Sequence, residues 1–196
     1  MKATVLAGIV VGVLTTVPTA FPEAQGDAPF GNDKVTILGT ALNMSNTATG
    51  ANQTIRINID RWSSAREREK LVTAFRTKGQ AQLLHALESS PKVGFIRLPN
   101  TPERDLRYAF TSSLPGGGRR VLLATDRPIG FEEEASASRR LEYPFTLIEI
   151  RFDTQGVGVG KMAVYAKVAL SSDKQSIELE NYGTEPVRLT DVRIEN

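Results

Sequence analysis

The chain has 196 residues, a formal net charge of +2 and no cysteine. Without cysteine there are no disulfides, no thiolate zinc sites and no cysteine nucleophile, and a single histidine excludes His-rich metal sites. The 24 cationic and 22 anionic residues are interspersed, with no basic stripe of the kind that tracks nucleic acid.

The first element is an export signal. Lys2 supplies a positive start, the run from Ala3 to Val17 is apolar and uncharged, Pro18 breaks it, and the small residues Thr19, Ala20 and Ala24 follow. That is the order of a secretory signal peptide. The run falls short of the roughly 20 residues that span a bilayer. The sequence therefore predicts a peptide of residues 1–24, cleaved after Ala20 or Ala24, and a mature protein in the periplasm or outside the cell with no transmembrane segment. Residues 25–33 form a flexible lead-in, and 34–196 a single β-rich domain.

Within that domain, 34–42 reads as a strand and 45–53 as a polar loop tip. A second strand over 54–61 alternates cleanly, with Ile55, Ile57 and Ile59 on one face. A helix pair is predicted at about 63–89. Ser64 and Glu67 fit a capping box, Leu71, Val72 and Phe75 form the first apolar stripe, and Gly79 stops it. Leu83, Leu84 and Leu87 form the second, and His85 points away from it. Strands follow over 93–98, 105–111 (with Leu106, Tyr108 and Phe110 on one face), 119–125 and 144–153.

The stretch 156–170 alternates with its even positions toward the core, where Gly158 and Gly160 suit a bend or the close approach of a bulky side chain. Strands over 177–182 and 187–194 finish the chain. In the last, Val187 and Leu189 are odd-numbered while Val192 and Ile194 are even-numbered, so a bulge is predicted at Thr190–Asp191. The fold class is mainly β with a small helical insert (α+β). About nine strands form an antiparallel meander, closed as a curled sheet, barrel or sandwich.

Few motifs carry chemistry. Gly156–Lys161 has three residues between its outer glycines and runs into a strand, so it is not a phosphate loop. His85 lies on a helix away from any G-x-S-x-G turn, which leaves no serine triad. Carboxylates that could serve hydrolysis are Asp126, the triplet Glu132–Glu134, Glu149, Glu178 and Glu180. Glu149 shares a strand face with Phe145 and Leu147, then with Arg151, and reads as an ion pair or a polar contact in a cavity. Trp62 stands between a strand and a helix. Tyr108, Phe131 and Tyr143 could join it around a sugar or acyl chain, and Asp126 and Arg127 open a long loop. The candidate ligand-binding set is Trp62, Tyr108, Asp126, Arg127, Phe131, Tyr143, Glu149 and Arg151. No catalytic residue, metal ligand or cofactor is expected.

The segments DLRYAF (105–110), RRVLLATDRPIGFEE (119–133), YPFTLIEIRFD (143–153) and IELENYG (177–183) resemble a family of uncharacterised exported proteins of soil-type bacteria. They cover about half of the mature chain. The resemblance implies export and transfers no site residue. The expected function is non-enzymatic binding of a small or lipidic ligand or of an envelope component. The rivals are a carboxylate-dependent hydrolase of a sugar or phosphate ester, and a structural envelope protein without a pocket. An apolar concavity with a few polar groups separates the first from the others.

Overall fold

The computed structural model describes residues 34–42, 52–99, 102–127, 129, 145–170, 177–182 and 186–195. The expected signal peptide, its cleavage sites, the lead-in and the Glu132–Glu134 triplet lie outside these residues. Along the chain run β1 (Val35–Leu42), β2 (Asn52–Ile59), α1 (Ala65–Glu88), β3 (Gly94–Arg97), β4 (Arg104–Ser113), β5 (Arg119–Thr125), β6 (Phe145–Phe152), β7 (Val157–Leu170), β8 (Ile177–Tyr182) and β9 (Val187–Glu195).

The strands pair antiparallel in the order β6-β5-β4-β3-β2-β1-β9-β7, and β7 pairs back to β6. Eight strands thus close a barrel. The meander of about nine strands needs one correction: β8 stands outside the ring and, among the described residues, pairs only with β7. It follows β9 along the same edge, with Ala166 opposite Tyr182 and Met162 opposite Val187. The far ends of β7 and β8 are therefore a two-stranded extension of one barrel wall.

Eight strands enclose a space that side chains can fill, and they fill it here. Ile37, Ile55, Ile57, Ile59 and Ile96 from β1–β3 meet Val121, Leu123, Ile148, Ile150, Met162 and Leu189 from the rest, all essentially inaccessible. Gly158 lets the Phe152 ring in: a Cβ there would sit 2.8 Å from Phe152 Cδ1 and 3.2 Å from Val192 Cβ. This is the close approach expected from the sequence. Trp62 packs, partly buried, on the same cluster.

Three irregularities decide which side chains face outward. In β9, Thr40 pairs with Thr190 and Leu38 with Arg193, so β9 holds one extra residue. Asp191 takes it up at φ 50°, and Val187, Leu189 and Val192 are all buried. The predicted bulge stands where the change of parity put it. In β4 the register shifts between Leu106 and Tyr108. Leu106 and Ala109 consequently face the barrel interior, and Tyr108 faces out. Leu106 therefore does not share a face with Tyr108 and Phe110, as expected from simple alternation.

In β7 the register against β6 shifts between Ala163 and Ala166. Met162 and Val164 join the interior, but Val168 joins the cluster outside, so the even positions do not keep one face. Thr146 occupies this irregular stretch and satisfies it. Its hydroxyl donates to the Val164 carbonyl (2.9 Å) and accepts from Ile129 N (2.8 Å), both buried.

The expected helix pair is one helix with a kink. Lys78 and Gly79 leave helical geometry, Gly79 at φ 68° and ψ −149°, a region that only glycine enters without strain. The break at Gly79 and the helical stretch from Gln80 to Glu88 beyond it were both legible; what differs is that the two run on as one kinked helix. No helix among the described residues is long and apolar enough to cross a membrane.

Candidate functional site

The site is built by α1 and the outer wall of the barrel. The helix starts with both halves of a capping box: Glu67 N donates to Ser64 Oγ (3.2 Å) and Ser64 N donates to Glu67 Oε2 (2.8 Å). Arg61 then clamps Glu67 through two bonds of 2.8 and 3.0 Å, which fixes the angle at which the chain enters the helix. These bonds, led by that from Arg61, hold the Glu67 carboxyl at about 2. Ser63 bridges to β4, its amide donating to the Ala109 carbonyl (2.8 Å) and its hydroxyl accepting from Ala109 N (3.1 Å). Past the kink, Gln80 Oε1 accepts from Val168 N (3.1 Å), just beyond the point where β6 ends opposite Ala166. The helix is thus tied at its start to β4 and at its middle to β7.

Between these ties lies a second apolar layer. Leu71, Leu83, Ala86 and Leu87 of α1 face Tyr108, Ala124, Phe145 and Val168 of the barrel wall, with Phe75, Phe110, Leu122 and Leu147 half-buried at the margin. The layer is not filled. A groove of about 150 Å³ runs between Leu71, Val72, Leu83 and Leu87 on one side and Leu122, Ala124, Phe145 and Leu147 on the other. Cavities of about that size hold a benzene ring.

Polar groups converge at one end of the groove: Arg68, Tyr108, Arg120 and Glu149. Arg68 is half-buried with its guanidinium 4.9 Å from the centre of the Phe110 ring, a cation–π arrangement, and it makes no ion pair among the described residues. Tyr108 is 9% exposed. Burial pushes its phenol up to about 12, against the opposing pull of Arg68 and Arg120. Its ring is the buried part, and its hydroxyl is not sealed from solvent. Arg120 donates to Glu149 Oε2 (3.2 Å) and Arg151 Nε to Glu149 Oε1 (2.8 Å). Burial raises the Glu149 carboxyl, but the bonds and charges of Arg151 and Arg120 outweigh it, and the net shift is downward.

Of the residues singled out in the sequence, the structure brings Tyr108 and Glu149 into the groove. Arg151 touches it only through Glu149, on the neighbouring outer face that also carries Lys161 and Arg188. Trp62 packs, partly buried, on the barrel cluster and does not line the groove. Asp126, whose side chain is 5% exposed, is held by Arg107 Nε at 2.9 Å and by Arg127 at 3.4 Å. Arg107 also donates to the Ser90 carbonyl (3.2 Å), so Asp126 and Arg107 fasten the end of α1 to β4 and β5. Phe131 and Tyr143 lie outside the described residues. His85 is exposed on the helix, as its angular position required.

Arg68 and Arg120 were not singled out as site residues. Arg68 stands three residues before Leu71, on the apolar side of the helix, and Arg120 two before Leu122, on the outward face of β5. Neither pattern separates them from solvated cations until the helix is seen to cover that face. Comparison with family models, curated proteins and solved structures finds no match to this chain.

Proposed function

We propose that this is an exported, non-enzymatic binding protein that holds a small, mostly apolar molecule between α1 and the outer wall of the barrel. The observation that carries the reading is the groove itself: an apolar concavity with a few polar groups at one end, in a molecule whose barrel interior is filled. The carboxylate-hydrolase reading has less support. A general acid needs a raised pKa, whereas Glu149 is lowered by its arginines and Asp126 is tied into a structural clamp.

The test is occupancy. Hexan-1-ol titrated into the full chain is expected to shift the NMR methyl signals of Leu71, Leu83, Leu87 and Leu122 and leave those of Ile57 and Ile148 in place. Ala124→Leu, which builds into the groove from β5, is expected to abolish the shifts while the fold is kept. Shifts confined to the barrel interior, or none, would refute the reading. Export is tested by N-terminal sequencing of secreted protein, where a start after residue 20 or 24 is expected.

A further inference from the structure

We infer that the ligand of this groove is a small monocarboxylate, with its carboxylate on Arg68, Arg120 and the Tyr108 hydroxyl and a short apolar tail under the helix. The inference rests on the groove being a ligand site and adds what that ligand must be.

Three observations carry it. First, Tyr108 lines the groove with its ring nine-tenths buried, while its hydroxyl is not sealed off and is available to a bound molecule. A phenol hydroxyl at the margin of an apolar groove can donate to an anionic oxygen held there. Second, Arg68 stands half-buried on Phe110 with no carboxylate beside it among the described residues. Planar guanidinium groups match carboxylates through two parallel hydrogen bonds.

Third, the local charge fits one negative charge rather than two. Glu149 already occupies Arg120 and Arg151 and would repel a dianion such as a phosphate monoester. Arg120 retains capacity, because its Nε lies buried 3.2 Å from Glu149 Oε1 yet without hydrogen-bond alignment. The tail is limited by the space between Leu83, Leu87, Phe145 and Leu147, which takes a group about the size of a benzene ring or a short acyl chain.

The experiment is calorimetric titration of the full chain with sodium hexanoate and, separately, hexan-1-ol, which shares the tail and lacks the charge. Hexanoate is expected to bind at least about tenfold tighter, as charge-assisted hydrogen bonds would give. Arg68→Gln is expected to erase most of that preference and leave hexan-1-ol unchanged. Tyr108→Phe keeps the ring and is expected to weaken hexanoate about three- to tenfold. Among the described residues Arg68 lies in no ion pair, and Tyr108→Phe preserves packing, so both variants are expected to fold as the parent does.

Equal affinity for the two probes, or a hexanoate preference that survives Arg68→Gln and Arg120→Gln alike, would overturn the inference and leave the groove reading standing. Failure of both probes to bind would overturn both. Hexyl phosphate binding tighter than hexanoate would refute the single charge. An N-acetylated tripeptide ending in leucine that outcompetes hexanoate would assign the carboxylate to a chain terminus and refute the free acid.

Discussion

Tyr108 separates packing from recognition, because its ring belongs to the layer under α1 while its hydroxyl belongs to the groove. Its folded pKa, about 12, lies above the ordinary 10. The neutral phenol is the buried form, so its share of stability is complete below pH 10 and is lost as the pH rises from about 10 to about 12. Phenolate absorbance during alkaline titration is expected to show a late-titrating group that is absent in Tyr108→Phe. A titration in which all the tyrosines ionise together near 10 would contradict the burial. Gly94 sets a different limit at the same scale. A Cβ on it would lie 2.0 Å from the backbone oxygen of Asn58, across the β2–β3 pair. Backbone cannot give way as a side-chain tip can, so Gly94→Ala is expected to cost about 3 kcal/mol in urea unfolding. A loss under about 1 kcal/mol would mean that β2 and β3 are held more loosely than drawn.

α1 is held by its ends more than by its own propensity, and the Arg61–Glu67 clamp is the end that responds to pH. The Glu67 carboxyl is depressed from 4.5 to about 2. A depressed carboxylate stabilises the fold fully above its unfolded value, and the contribution disappears as the pH falls from about 4.5 to about 2. The Arg61 side chain is 39% exposed and that of Glu67 27%, so solvent screens the pair and the effect stays at about 1 kcal/mol. Glu67→Gln is expected to be less stable than the parent by that amount at neutral pH and equally stable near pH 2. A difference that persists at pH 2 would assign the loss to packing instead. The kink in the middle of α1 serves the same attachment. Gly79 breaks the helix one residue before Gln80, which turns to hold the edge of β7 that β6 no longer covers.

At the scale of the molecule, closure depends on β9, which lies between β1 and β7. Local patterns specified the strands well. The Ile55–Ile57–Ile59 alternation and the change of parity from Leu189 to Val192 pointed to the right faces, because one face of those strands is core and the other is wet; the rival for the second, both faces covered without a bulge, is excluded by the pairing of β1 with β9. They failed where both faces are apolar. In β4, Leu106, Tyr108 and Phe110 all look inward until a bulge is known to turn the last two out, and Val121–Ala124 of β5 gives no parity at all. The outer apolar face exists only because a helix from an earlier part of the chain covers it, so the groove and its two arginines were illegible for the same reason. Barrel and sandwich share the same alternation. What decides between them is the pairing of Thr36 with Glu195, which no local pattern encodes.

That pairing gives the most direct test of the fold. Truncation before Val187 removes Val187, Leu189 and Val192 from the interior and exposes the facing edges of β1 and β7. Three buried aliphatic side chains at about 1.5–3 kcal/mol each are comparable with the whole stability of a domain, about 5–15 kcal/mol. The truncated chain is therefore expected to show no cooperative unfolding by circular dichroism. β8 makes the opposite case. It lies outside the ring and supports only the extension beyond Ala166. Replacing residues 171–182 by a short turn is expected to keep a cooperative transition with a modestly lower midpoint. If both deletions unfold the protein, β8 belongs to the cooperative unit and the barrel does not stand on eight strands. If neither does, β9 is not its closing strand.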